Sequence, residues 1–248
     1  VGRSQWYGLY AGGDFSLAGS VETMRIARWN GTTWSALRGG ITSPEFPGAS
    51  VRVLVYTNSG QLIAGGSFTR ADGGTANLVA KWNGSFWSSE DVGLPTTNLR
   101  TKSVRALAIF DDGKGPELYM GGNFTVSGTC GSGHNLTKVD RRSTYTGSVL
   151  GGEPGFVGST VYTLTVYDDG TGPALYVGGD FPISDSGNLA AWRCPCPNCD
   201  ADGDDDGDEL DYAAFWGCFS GPGLMPADEC AGAQLGGEYL PVGKFLMR

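Results

Sequence analysis

Leu9-Tyr10-Ala11-Gly12-Gly13-Asp14-Phe15 is written four times in this chain, and the fold follows from the repetition. The stretch returns as Leu62-Ile63-Ala64-Gly65-Gly66-Ser67-Phe68, as Leu118-Tyr119-Met120-Gly121-Gly122-Asn123-Phe124, and as Leu175-Tyr176-Val177-Gly178-Gly179-Asp180-Phe181. The first glycines of the copies are 53, 56 and 57 residues apart. A period of that size is the mark of a repeat architecture and outranks any single-residue signal.

Each copy brings the same companions. Upstream lies an alternating apolar run (Val51 to Tyr56, Val104 to Phe110, Val161 to Tyr167), closed by Asn58-Ser59-Gly60, Asp111-Asp112-Gly113 or Asp168-Asp169-Gly170. These turn residues tolerate positive φ, so run and motif together predict a β-hairpin. Downstream stands a second hairpin, Ala27-Arg28-Trp29-Asn30-Gly31-Thr32-Thr33-Trp34, repeated as Ala80-Lys81-Trp82-Asn83-Gly84-Ser85-Phe86-Trp87. Asn-Gly makes its turn, and the two tryptophans can face one another across it.

Four strands per period of about 55 residues is the count for a β-propeller blade. No part of the repeat has sustained 3.6-residue apolar spacing, which excludes a helical solenoid. The expected fold is all-β, a β-propeller of about four four-stranded blades over residues 1–39, 51–94, 103–151 and 160–193. Glycine pairs allow close backbone approach where blades converge, and the following Phe packs between neighbours. The tryptophans are expected to be buried between blades rather than stacked on sugars. Val1 to Tyr7 is the expected first strand of the first blade. In the third blade Thr137-Lys138-Val139-Asp140 stands where Ala-Arg-Trp-Asn stood, beside the longest insertion, around Cys130 and His134. In the fourth, the pattern stops after Trp192-Arg193, leaving the fourth strand to be supplied from elsewhere.

Composition bounds the function classes. With 17 Lys and Arg against 26 Asp and Glu, the net charge is −9 and the pI about 4.5. Nucleic acid and anionic membrane surfaces both need basic patches, so neither is an expected partner. No apolar run approaches the roughly 20 residues of a membrane helix. Six cysteines, five of them after residue 190, predict disulfides and an oxidising compartment. The expected location is extracellular or on the cell surface, with any leader already removed. Sequons at Asn30, Asn83, Asn123 and Asn135 satisfy the glycosylation rule, though turn chemistry accounts for the first two.

Catalytic signals are sparse. His134 is the only histidine and is expected in a surface loop. Cys194, Cys196 and Cys199 among prolines suit a disulfide-tied linker better than a soft-metal site. The chain is not expected to be an enzyme. A carbohydrate-binding module or glycan-active enzyme is the alternative, since propeller sites draw on distant loops.

Residues 200–211 carry chemistry of a different kind. Counting Asp200 as the first position, Asp200, Asp202, Asp204, Asp206, Asp208 and Asp211 fall at 1, 3, 5, 7, 9 and 12 of a twelve-residue loop. That is EF-hand-type spacing for Ca2+, whose lost hydration shell needs hard oxygen ligands; position 7 ordinarily offers its backbone carbonyl. A helix is expected next, with Leu210, Ala213, Ala214 and Gly217 or Cys218 on one face and Gly221-Pro222-Gly223 as its stop.

Asp200 to Phe215 with Cys218-Phe219-Ser220-Gly221-Pro222-Gly223 resembles the dockerin type I calcium repeat, in versions found at the C-termini of exported planctomycete-type bacterial proteins. Asp168-Asp169-Gly170-Thr171-Gly172-Pro173 with the glycine motif, and Ala27 to Leu37, are similar to propeller-type repeats of large proteins from the same bacteria. The resemblance implies a cohesin-binding adaptor role, although a dockerin has two such loops and this chain has one. The dockerin-like module is assigned to 194–235, with Cys218 and Cys230 as candidates for a local disulfide. Pairing of Cys130, Cys194, Cys196 and Cys199 stays open. Residues 236–248 form an apolar tail in which Tyr239, Leu240, Val242, Phe245 and Leu246 suit a strand. The expected role is structural: a homo-oligomer or polymer, or a binder of a cell-surface protein or glycan, with tail donation as the route to a filament.

Overall fold

The computed structural model describes residues 8–89, 94, 97–111, 115–128, 131–139, 147–149, 160–168, 170, 172–183 and 187–192. They form an all-β protein of several small antiparallel sheets. Among the described residues there is no α-helix, only a short 3-10 turn at Leu99–Thr101.

Repeat two is complete. Its strands Ser50–Tyr56, Leu62–Ser67, Val79–Trp82 and Trp87–Ser89 pair in chain order as a four-stranded antiparallel meander. Repeat three does the same with Ser103–Asp111, Pro116–Gly128, Gly131–Val139 and Gly147–Val149. Val139 pairs with Leu118 as Trp82 pairs with Leu62, so the degenerate outer hairpin keeps its register without tryptophans. Repeat one shows Leu9–Gly12, Ile26–Trp29 and Trp34–Ala36, equivalent to strands two to four. Its expected first strand, Val1 to Tyr7, lies outside the described residues. Repeat four shows strands one to three: Val161–Asp168, Pro173–Ile183 and Gly187–Trp192.

Two features depart from the sequence reading. A small extra hairpin sits between strands two and three, as Leu17–Ala18 with Val21–Glu22 in repeat one and Arg70–Ala71 with Gly74–Thr75 in repeat two. In repeat three the main strands simply run on, pairing out to Gly128 and Gly131. His134 is therefore not in a surface loop: it is half-buried in the third strand, opposite Thr125.

The glycine pair has a separate reason for each member. Each of the three described first strands carries a β-bulge after its initial valine, at Val51, Val104 and Val161. The bulge pushes backbone toward the second glycine, and a Cβ there would lie 2.0 Å from the Ser50 carbonyl oxygen at Gly66, or 2.1 Å from that of Ser103 at Gly122. No side chain fits such a gap. The first glycine instead makes room for the next repeat. A Cβ on Gly12, Gly65 or Gly121 would lie 2.4, 2.7 or 2.4 Å from a Cγ1 of Val51, Val104 or Val161, respectively. The initial valine of each repeat thus seats on the repeat before it, and Val51 N–H donates to the Gly13 carbonyl at 3.1 Å.

Because side chains alternate along a strand, each sheet presents two faces, and consecutive sheets stack face to face. Ile26 and Leu37 of repeat one meet Leu62, Ala64, Phe68 and Trp82 of repeat two. Ile63 and Val79, pointing the other way, meet Leu118, Met120 and Phe124 of repeat three. Tyr119 and Leu136 meet Leu164, Leu175 and Val177 of repeat four. Each fully buried Leu, Ile or Phe contributes roughly 2 kcal/mol to holding these interfaces. Phe68 and Phe124 are fully buried in them, as expected for the motif phenylalanine.

Candidate interaction faces

Within this stack every repeat has an upstream face, turned to the repeat before it, and a downstream face, turned to the next. The upstream face of repeat two shows what such a surface is built to meet. Leu62 is 3% exposed, and Trp82 and Trp87 stand opposite each other across the Asn83-Gly84 turn, rings 5.3 Å apart and tilted by 48°. Trp87 Nε1–H donates to the Leu37 carbonyl of repeat one at 3.0 Å.

Repeat one carries the same surface. Leu9 pairs with Trp29 and Trp29 with Trp34, the indole rings again 5.3 Å apart and tilted by 49°. The turn is also the same: Asn30 Oδ1 accepts from the Thr32 and Thr33 amides, as Asn83 Oδ1 accepts from those of Ser85 and Phe86. Yet Leu9 is 63% exposed and both tryptophans are only half-buried. The expectation of tryptophans buried between sheets thus holds for Trp82 and Trp87 but not for Trp29 and Trp34, which have no preceding sheet over them among the described residues.

The downstream face of repeat four has no following sheet packed on it among the described residues. Leu164 and Val177 point into the last cluster, so Thr165 and Tyr176, paired at the next position, point away from it. Tyr176 meets Tyr167 edge to face at 6.0 Å between centroids, and Tyr167 is 60% exposed.

Polar groups elsewhere are largely spent on the framework. The 37–49 linker is stitched between repeats one and two: Arg25 Nε donates to the Ala49 carbonyl at 2.6 Å, and Asp72 accepts from the Gly39 amide at 3.0 Å and pairs with Arg38. The Gly39 amide first, then Arg38, holds the Asp72 carboxyl below its ordinary range. Thr69 and Arg70 do the same for Glu45, chiefly through the Thr69 hydroxyl. Burial pushes the Tyr10 phenol up, against the opposing pull of Arg28. A shallow groove of about 370 Å³ borders this region, lined by Glu45, Phe46, Arg70, Asn98 and Arg100. Arg70 already spends its charge on Glu45 there. Near the sheets' inner strands, the bulge residue Arg105 lies over the ring of the next one, Tyr162, at 5.3 Å, a cation–π contact that the sequence did not announce.

Asp200, Asp202, Asp204, Asp206, Asp208 and Asp211, the cysteines Cys218 and Cys230, and the tail residues Tyr239, Leu240, Val242, Phe245 and Leu246 all lie outside the described residues. Among the described residues, no group of three or more His, Cys, Asp or Glu is placed to hold a metal. Nor does any described helix have the length and apolarity to cross a membrane. Asn135 accepts the Phe124 amide through Oδ1 and is 3% exposed, so its sequon is folded into the sheet.

Neither a protein-family model nor a curated protein matches the sequence. Among solved structures, YCF48 from Cyanidioschyzon merolae is similar at 16% identity and a TM-score of 0.35, over 67% of this chain and 46% of that one. The matched part is less than half of YCF48, and a likeness at that score carries no weight for fold or function.

Proposed function

We propose that this chain is a non-catalytic structural and interaction protein of the extracellular space or cell surface. In this reading it is an arc of four propeller-type blades followed by a calcium-braced, dockerin-like module. The observation that most supports it is the use made of the repeated residues. The initial valines, first glycines and motif phenylalanines of the inner repeats, with Trp82 and Trp87, serve the packing of one repeat on the next. Asp200, Asp202, Asp204, Asp206, Asp208 and Asp211 would hold Ca2+, which supplies a rigid oxygen-ligated node between arc and tail. Residues 236–248 would add a strand to the fourth blade of a neighbouring copy. Repeated head to tail without ring closure, that addition builds a filament.

The test is particle mass by light scattering for the full chain with calcium, with a chelator, and with residues 236–248 deleted. Deletion is expected to abolish strand-donated assembly, and chelation to loosen it. Oligomers unchanged by the deletion would rule strand donation out. Carbohydrate binding is a second reading, favoured by the half-buried Trp29 and Trp34 rings on an open face. Titration with soluble glycans, followed by tryptophan fluorescence, separates the two: a saturable shift at sub-millimolar ligand would favour the second.

A further inference from the structure

We infer that Arg52 and Arg105, with the Tyr162 ring beside them, form a binding site for a single oxyanion group, such as the carboxylate of a uronic acid or the sulfate of a sulfated sugar. The inference goes beyond the structural reading above and needs neither the calcium module nor the tail.

The site follows from the bulges. In each, one residue is left without a cross-strand partner: Arg52 between Val51 and Val53, Arg105 between Val104 and Ala106, and Tyr162 between Val161 and Thr163. Such a residue is turned out of the regular alternation of the strand, which is how bulges re-aim side chains at functional sites. The three hold the same position in consecutive repeats, and the valine before each seats on a glycine of the preceding repeat in the same way. Arg105 reaches the next bulge residue directly, its Cζ 5.3 Å from the centroid of the Tyr162 ring. By the same repeat relation Arg52 stands to Arg105 as Arg105 stands to Tyr162. Two arginines and one aromatic ring thus share one end of three neighbouring strands.

The framework does not use these arginines. Arg25, Arg38 and Arg70 face Asp14, Asp72 and Glu45, whereas neither Arg52 nor Arg105 makes an ion pair or a hydrogen bond among the described residues. Arg105 is half-buried, and its Nε–H is shut off from solvent without an acceptor. Leaving a charged donor buried and unmet is costly, and native structures keep few such groups. The Tyr162 ring, 51% exposed, holds the guanidinium from one side by cation–π attraction, which leaves its remaining N–H groups to an incoming acceptor. Arg52 is exposed, so solutes reach the pair. Arginine's planar fork matches two oxygens of a carboxylate or a sulfate. The ligand is one isolated anionic group and not a polyanion, because the chain's net charge of −9 repels a densely charged polymer.

Isothermal titration calorimetry of the calcium-loaded full chain at low salt tests this, with glucuronate, sulfate and glucose as probes. Glucuronate is expected to bind at one site per chain, and glucose not to bind. Arg52→Gln and Arg105→Gln should each weaken glucuronate about tenfold, and Arg105→Lys, which keeps the charge but loses the fork, should weaken it less. Lys81→Gln removes the same charge outside the bulges and should leave binding unchanged. Near-UV circular dichroism confirms that the variants fold; if Arg105→Gln does not, the exposed Arg52→Gln carries the test. Sulfate bound as tightly as glucuronate supports the site and assigns recognition to the oxyanion alone, whereas tighter glucuronate supports it and adds the sugar ring. Glucuronate bound no better than glucose overturns the inference, as does binding that both arginine variants leave intact or that Lys81→Gln weakens equally. Each of these failures leaves particle assembly, and with it the structural reading, untouched.

Discussion

Repeats one and two carry the same tryptophan hairpin, with the same register, the same ring separation and nearly the same tilt. In repeat two the pair is buried, with one indole hydrogen-bonded across an interface; in repeat one it is half open to solvent. Local sequence has thus fixed the hairpin in both places, and only the neighbour decides whether it becomes core or surface. The pair is a property of the repeat, while its energy is a property of the stack.

The sharpest test of this difference is truncation. Trp87→Ala should cost about 4 kcal/mol in urea unfolding, as for a large buried aromatic. Trp34→Ala should cost less than half as much, and equal losses would break the comparison. Next comes the second glycine. Gly66→Ala sets a Cβ against the Ser50 carbonyl and should cost about 3 kcal/mol. Among the described residues a Cβ at Gly13 meets only the Phe15 ring, at 3.1 Å, so Gly13→Ala should cost clearly less. The turns should not distinguish the repeats at all. Gly31 and Gly84 have φ near +100° with open space around them, so Ala at either should cost a similar amount, about 1 kcal/mol.

Acid should have the smallest effect. The carboxyls of Asp72 and Glu45 titrate below their ordinary range in the fold. A depressed carboxyl contributes stability that is complete above its unfolded pKa, near 4, and is lost as pH falls through the lower folded value. Amides of the linker, such as Gly40 and Ile41, should lose hydrogen-exchange protection below about pH 4, ahead of the central strands. Protection that is flat down to pH 2 would show that these contacts do not hold the linker.

Much of this organisation was legible in the residues. The glycine motif, the alternating run before it and the Asn-Gly hairpin sufficed to place the main strands. Register then put Thr137-Lys138-Val139 where the sequence placed it, opposite the motif strand. The extra hairpin was equally announced: Asp72 and Gly73 have φ of 50° and 80°, the two left-handed positions of a tight turn, but its two-residue strands vanish inside a period count. His134 was misplaced because the glycines and serines around it signal a loop, whereas pairing with an equally long second strand holds them extended. The division of labour between the paired glycines had no local signal. It depends on a bulge in one strand and a valine some 40 residues further on. Nor could the sequence separate Trp29 from Trp82, since what differs lies in another repeat.

Among the described residues the three hydrophobic clusters each join only repeats adjacent in the chain. Cooperativity in such an array passes from neighbour to neighbour, so a terminal sheet can fray without melting the middle. Repeats two and three, packed on both faces, should form the slowest-exchanging foldon, with hydrogen exchange in their inner strands slower than in repeats one and four.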